Sequence, residues 1–192
     1  MPLSDTPPAD RVIAFWFSER DANGIPVHRK AWFEKNTAFD SEIRALFLAD
    51  VEAAADGCLD AMANTPLGAV ALVILLDQFP RNLFRGTGRA FTADGKAREI
   101  ADAAIARGFD RELPAVMRQF LYLPFEHAEN LDDQDRCVAL FERLGNPELV
   151  KWAVRHHEII VRFGRFPHRN AALGRESTPE EIAFLREPNS SF

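Results

Sequence analysis

The stretch that decides the fold is Ile159-Ile160-Val161-Arg162-Phe163-Gly164-Arg165-Phe166-Pro167-His168-Arg169-Asn170, where an apolar helix meets a glycine stop, a proline and a dense polar cluster. At about 100° per residue, the residues leading into it place Leu149, Trp152, Ala153, His156, Ile159, Ile160 and Phe163 on one face, with Arg155, Glu158 and Arg162 opposite. Asn146-Pro147 supplies an N-cap and a first-turn proline, and Gly164 a left-handed stop. His156 falls in the middle of the apolar face, with His157 on its flank. An unpaired buried polar group costs about 1–3 kcal/mol, so His156 must bond to a neighbouring helix or ligate something. Bonding within the protein is the default.

Beyond Gly164, the side chains of Arg165, His168, Arg169 and Asn170 gather around Pro167, which suits the first turn of a new short helix. Cations at a helix start oppose the macrodipole, whereas bare N–H groups there favour an anion. Either carboxylates from elsewhere in the fold pair with these arginines, or an anionic ligand does. Internal pairing is the default, because the chain carries 29 acidic against 23 basic residues and a net charge of −6.

That acidic balance argues against broad nucleic-acid or anionic-membrane binding. With 192 residues, 47% of them apolar and 27% charged, the chain has the makeup of one soluble globular domain spanning residues 1–192. Cys58 and Cys137 form no metal-type spacing; both fall in helix-like segments, so they are expected as buried free thiols, which fits a reducing cytoplasm. Met1 to Asp10 has neither a basic nor an apolar region of the kind a signal peptide needs. The longest apolar run, Leu67 to Leu76, is too short to cross a bilayer.

The remaining segments read as helices. Val12 to Phe17 is short and very apolar, Asp21 to Pro26 is a loop, and Phe39, Ile43, Leu46, Phe47 and Val51 recur at helical spacing up to Gly57. Thr65-Pro66 starts a helix, Leu67 to Leu76, that is apolar on every side and so belongs in the middle of a bundle. Pro80 is expected to end it at Phe79, leaving Arg81 to Arg89 as a loop. Asp94 to Arg107, a helix opened by Pro114, and Asp132 to Leu144 follow, with stops at Gly108 and Gly145. Thr178-Pro179-Glu180-Glu181 is a capping box for a last helix to about Leu185. No segment alternates at period two for long enough to make a strand. The fold class is all-α. The three tryptophans and 16 phenylalanines read as core.

Phe79-Pro80-Arg81-Asn82 echoes Phe166-Pro167-His168-Arg169-Asn170, and Leu123-Pro124-Phe125-Glu126-His127 is a third helix end built the same way. With Phe15-Trp16-Phe17, Trp32-Phe33 and Phe39-Asp40, these pieces resemble the bacterial family catalogued as domain of unknown function, number 924, over roughly residues 11–186. The resemblance implies a tetratricopeptide-like stack of antiparallel helices. It carries no established activity.

If the three proline-marked helix ends meet, one pocket collects Asp77, Arg81, Asn82, Glu126, His127, Glu129, His156, Arg162, Arg165, His168, Arg169 and Asn170. The default reading is an internal ion-pair network. A second is a site for a small anion, a carboxylate or phosphate ester, held by arginine forks. A third is a small-molecule hydrolase using acid–base or metal chemistry through Glu126, His127, Glu129, His156 and His168. No HExxH, GxSxG or phosphate-loop motif supports it. A fourth is a protein-interaction scaffold, as helical-repeat folds often are. The residues assign no cofactor and no metal, and they fix neither a reaction nor an oligomeric state.

Overall fold

A computed structural model describes residues 6–188, 190 and 191. The stretch read as lacking a signal peptide therefore lies partly, at residues 1–5, outside the described residues. Among the described residues the chain is all-helical, the one extended pairing being an isolated antiparallel bridge between Arg20 and Pro26. No helix among them is long and apolar enough to cross a membrane.

Helices α1 (Pro8–Trp16) and α2 (Thr37–Ala55) open the chain, α2 capped by the Asn36 side chain, which accepts from the Ala38 and Phe39 N–H groups. Helix α3 (Pro66–Val73) starts where the Thr65 hydroxyl accepts from Gly68 N–H. Every residue from Gly68 to Val73 is buried, and α1, α5 (Asp94–Ala106) and α6 (Ala115–Glu126) pack around it. A helix with no polar face has to be enclosed in this way. Helices α7 (Leu131–Leu144) and α8 (Pro147–Phe163) continue the packing, α7 on α6 and α8 on α7. Gly108, Gly145 and Gly164 all adopt the left-handed conformation expected of helix stops.

Pro80 does not break the chain at Phe79. Phe79 keeps helical angles (φ −60°, ψ −38°), and the helix widens into a π-turn, Ile74–Gln78, before continuing as α4 (Phe79–Leu83). The physical reason is that proline offers no N–H and its ring crowds the carbonyl four residues back. The wider turn, in which Phe79 N–H donates to Ile74 O, relieves both problems. It also carries Asp77 in its last positions, and such π-turns concentrate at functional sites. Pro124 is likewise inside α6, two residues before its end, rather than terminating it.

Two other expectations change. Cys58 is exposed on the turn after α2, while Cys137 is buried in α7. Trp16 and Trp32 are core, but Trp152 is 41% exposed at the edge of the α8 apolar face. The main core is built on stacked and edge-on aromatics, including Trp16, Trp32, Phe39, Phe79 and Phe120. A second, small cluster of Ile159, Ile160, Phe166 and Phe184 seats the C-terminal segment and α9 (Pro179–Phe184) against the end of α8.

The end of α6, which carries Glu126 and His127, is held by one side chain of α7. Gln134 Nε2 donates to the carbonyls of Phe125 (3.3 Å), Glu126 (2.6 Å) and Ala128 (2.8 Å) from a fully buried position. Gln134→Ala strips the Glu126 and Ala128 carbonyls of this donor, while the Phe125 carbonyl keeps the Ala128 N–H (3.2 Å). Urea unfolding at neutral pH is expected to show a loss of about 1–3 kcal/mol, the range for buried polar groups left unsatisfied.

Candidate functional site

The three proline-marked segments meet. Their side chains close a circuit. Asp77, fully buried in the π-turn, accepts from His127 Nδ1 (2.7 Å) and pairs with Arg81 (3.2 Å). Arg81 forms a two-pronged pair with Asp94 at the start of α5 (2.9 Å on each prong). Asp94 lies 3.5 Å from Arg169 Nη1. The Arg169 guanidinium sits 4.6 Å from the Phe166 ring, Phe166 packs edge-on to His156 (5.6 Å), and the His156 ring lies 6.4 Å from that of His127. His168 packs against Phe166 at 5.7 Å. Thus Asp77, Arg81, Glu126, His127, His156, His168 and Arg169 share one cluster.

The other candidates lie outside the circuit. Glu129 and Asn170 belong to an adjoining network. Arg175 grips Glu129 with both prongs (2.6 and 2.9 Å) and donates to Asn170 Oδ1 (3.0 Å), while Glu129 accepts from Phe166 N–H (2.7 Å). Arg165 pairs with Glu181, the capping-box carboxylate of α9 (2.7 and 2.9 Å). Arg162 pairs with Glu180 on the surface. Asn82 points the other way and donates to Asp40, which Arg85 also holds. For these four arginine-containing groupings the default of internal pairing describes the geometry.

Arg169 is different. It is 6% exposed and packs against the rings of Phe91 and Phe166, each 4.6 Å from its Cζ. Its Nε has no hydrogen-bond partner, and no hydrogen bond from its guanidinium to the protein is found among the described residues. The carboxylate nearest to it, Asp94, is already committed to Arg81. Burial, and the repulsion of Arg81, lower its pKa to about 10, so it stays charged at neutral pH.

The neighbouring groups are tuned apart. Burial would raise the Asp77 carboxyl, but Arg81 and His127 outweigh it and hold Asp77 well below the usual range, so it is ionised. Burial, with Asp77 nearby, raises Glu126 to about 8, leaving it protonated at neutral pH. Its close polar neighbour is His156 Nδ1 at 3.4 Å, but that nitrogen is engaged with the Trp152 carbonyl (2.9 Å). Burial lowers His156 and His168 to about 3 and, with Arg81, lowers His127. All three imidazoles are neutral.

Two cavities, of about 320 and 620 Å³, open elsewhere. The first is lined by Val51, Leu75, Phe84 and Arg89, the second by Ile25, Leu67, Leu113 and Met117. Among the described residues no group of three or more His, Cys, Asp or Glu is placed so as to hold a metal ion.

Asp94, Phe91 and Arg175 were not legible as members. Asp94 reads as an ordinary acidic helix start, favourable to the dipole, and nothing local ties it to Arg81 thirteen residues earlier.

Opposed pKa shifts give stability a maximum near neutrality. Between its ordinary 4.5 and about 8, Glu126 is protonated in the folded chain and ionised in the unfolded one, so its contribution is lost as pH rises. His156 and His168 stay neutral when folded but bind protons below 6.5 when unfolded, so theirs is lost as pH falls. From pH 6.5 to 8 the Glu126 loss outweighs the remaining histidine gain, and unfolding free energy should fall by about 1 kcal/mol. Glu126→Gln should abolish that alkaline limb and keep the acid one; denaturant titrations across pH measure both.

A family model described as "Bacterial protein of unknown function (DUF924)" matches residues 12–189. A solved structure, "Structure of Protein of Unknown Function ATU0120 from Agrobacterium tumefaciens", is 41% identical, with the match covering 93% of this chain and 96% of that one at a TM-score of 0.85. No curated protein matches the chain. Trp16, Asp77, His127 and Arg169 all fall within the matched span, and the chain belongs to the DUF924 family of bacterial proteins.

Proposed function

We propose that the protein binds a small anion on Arg169. The observation that carries this reading is the guanidinium itself, buried, charged and flanked by two rings, yet without a hydrogen bond to the protein among the described residues. Buried polar groups in folded proteins are overwhelmingly satisfied, and each exception calls for a reason. A guanidinium presents five N–H donors in one plane, a fork that matches a carboxylate or a phosphate. The rings of Phe91 and Phe166 both pack against it, and such apolar contacts use none of its N–H donors.

Charge alone does not distinguish the reading from an internal network. The cluster holds two cations, Arg81 and Arg169, and two anions, Asp77 and Asp94, with Glu126 and the imidazoles neutral. Among the described residues, what Arg169 lacks is directional acceptors, not negative charge.

Arg169→Met separates the two possibilities. Removing one member of a structural ion-pair network costs about 3–5 kcal/mol, whereas removing a buried charge that has no hydrogen bond gives back its desolvation cost and strands no carboxylate, because Asp94 keeps both prongs of Arg81. The expected result is unchanged or higher stability of the variant without added anion. Small oxyanions and carboxylates should raise the melting temperature of the wild-type protein by mass action and leave the variant unaffected. A loss of several kcal/mol with no anion response in either protein would refute the proposal.

A further inference from the structure

Resting on that anion site, we infer that its ligand also carries an O–H group, which His127 Nε2 receives: the site takes hydroxylated anions, such as a hydroxy acid or monohydrogen phosphate, in preference to anions that only accept hydrogen bonds.

The tautomer of His127 is dictated by its partner. Its Nδ1 lies 2.7 Å from a carboxylate oxygen of Asp77, which is fully buried beside Arg81 and ionised. A nitrogen that close to a carboxylate oxygen must carry the proton, so in the neutral ring Nε2 is a bare lone pair. The rest of the environment keeps the ring neutral. Arg81 opposes a second proton, and burial does the same against the pull of Asp77 and Asp94. Within the described residues no hydrogen bond reaches Nε2; the side chain is 14% exposed.

His127 and Arg169 belong to one closed circuit, joined on one side through Asp77, Arg81 and Asp94 and on the other through His156 and Phe166. The cluster therefore offers a donor edge on Arg169 and an acceptor on His127. The Asp77 carboxylate fixes the acceptor, much as it would orient a base. An anion without a proton sets its own lone pairs against Nε2. One with an O–H satisfies both groups. Sites built around a specific hydrogen bond reject analogues that lack it far more strongly than apolar sites reject a missing methylene.

The test compares matched pairs by calorimetry: orthophosphate against sulfate at mildly alkaline pH, where both are dianions, and glycolate and 3-hydroxypropionate against acetate and propionate. At least one hydroxylated member should bind about tenfold or more tightly than its match, the scale of one well-made hydrogen bond. Which pair separates tells a phosphate site from a hydroxy-acid site. His127→Phe should shrink the gap to within about threefold, and Arg169→Met should remove binding of both members. If the variant does not fold, ¹⁵N spectra of histidine-labelled wild-type protein supply the same readout. The Nε2 signal should begin as that of a bare nitrogen and move upfield with the favoured anion. Equal affinities within every pair, or an Nε2 signal already protonated without ligand, would overturn the inference while leaving the anion site intact. Absence of any binding that depends on Arg169 would remove both.

Discussion

A carboxylate with no solvent contact, placed near the end of the most apolar helix in the chain, is the constraint from which the site follows. Asp77 sits in the π-turn behind Leu76 and is fully buried. An ionised carboxylate in such a place is stable only with several charge-assisted partners. It draws in Arg81 from the next turn, His127 from the end of α6 and the amide of Gln78 (2.6 Å). Arg81 then needs more than one anion and reaches Asp94, fixing the start of α5. Three distant parts of the chain are thereby tied together by one charge.

The consequences spread outward electrostatically. The Asp77 charge helps keep Glu126 protonated, and it sets the tautomer of His127. Arg81 opposes protonation of His127 and His168, and it lowers Arg169. The adjoining Glu129–Arg175 pair, bonded to Phe166 N–H and Asn170, anchors the segment that delivers Arg169 beside Phe91 and Phe166. Arg165, Arg162 and Arg85, which all find carboxylates of their own, show what ordinary internal pairing looks like in this fold. Arg169, set against them, has only a long contact to an Asp94 already held by Arg81, and no hydrogen bond among the described residues. Retaining such a residue in a packed interior is the kind of stability sacrifice associated with binding sites.

Much of this was legible in the sequence for physical reasons. Period-3.6 faces, glycine stops and proline starts announce helices, and the polar runs at Pro80, Pro124 and Pro167 stand out because they interrupt apolar segments. What local pattern could not convey is how a helix absorbs a proline. Phe79 stays helical because the turn widens, a solution that depends on the surrounding packing. Nor could periodicity separate Trp152, at the exposed margin of its face, from His156 at the centre. Asp94 and Phe91 were hidden because their roles arise only when α5 is brought against the π-turn. Asn82 was misleading in the opposite sense: adjacent to Arg81 in sequence, it faces Asp40 on another helix.

Under the proposed function, Arg169 is held ready for an external anion and not spent inside the protein. The most direct measurement follows the arginine Nε–H signals in ¹⁵N–¹H spectra while orthophosphate or glycolate is added. The Arg169 signal should shift and saturate, with those of Arg81 and Arg175 unmoved. An Arg169 signal that never moves, or that drifts together with all the others, would contradict the claim.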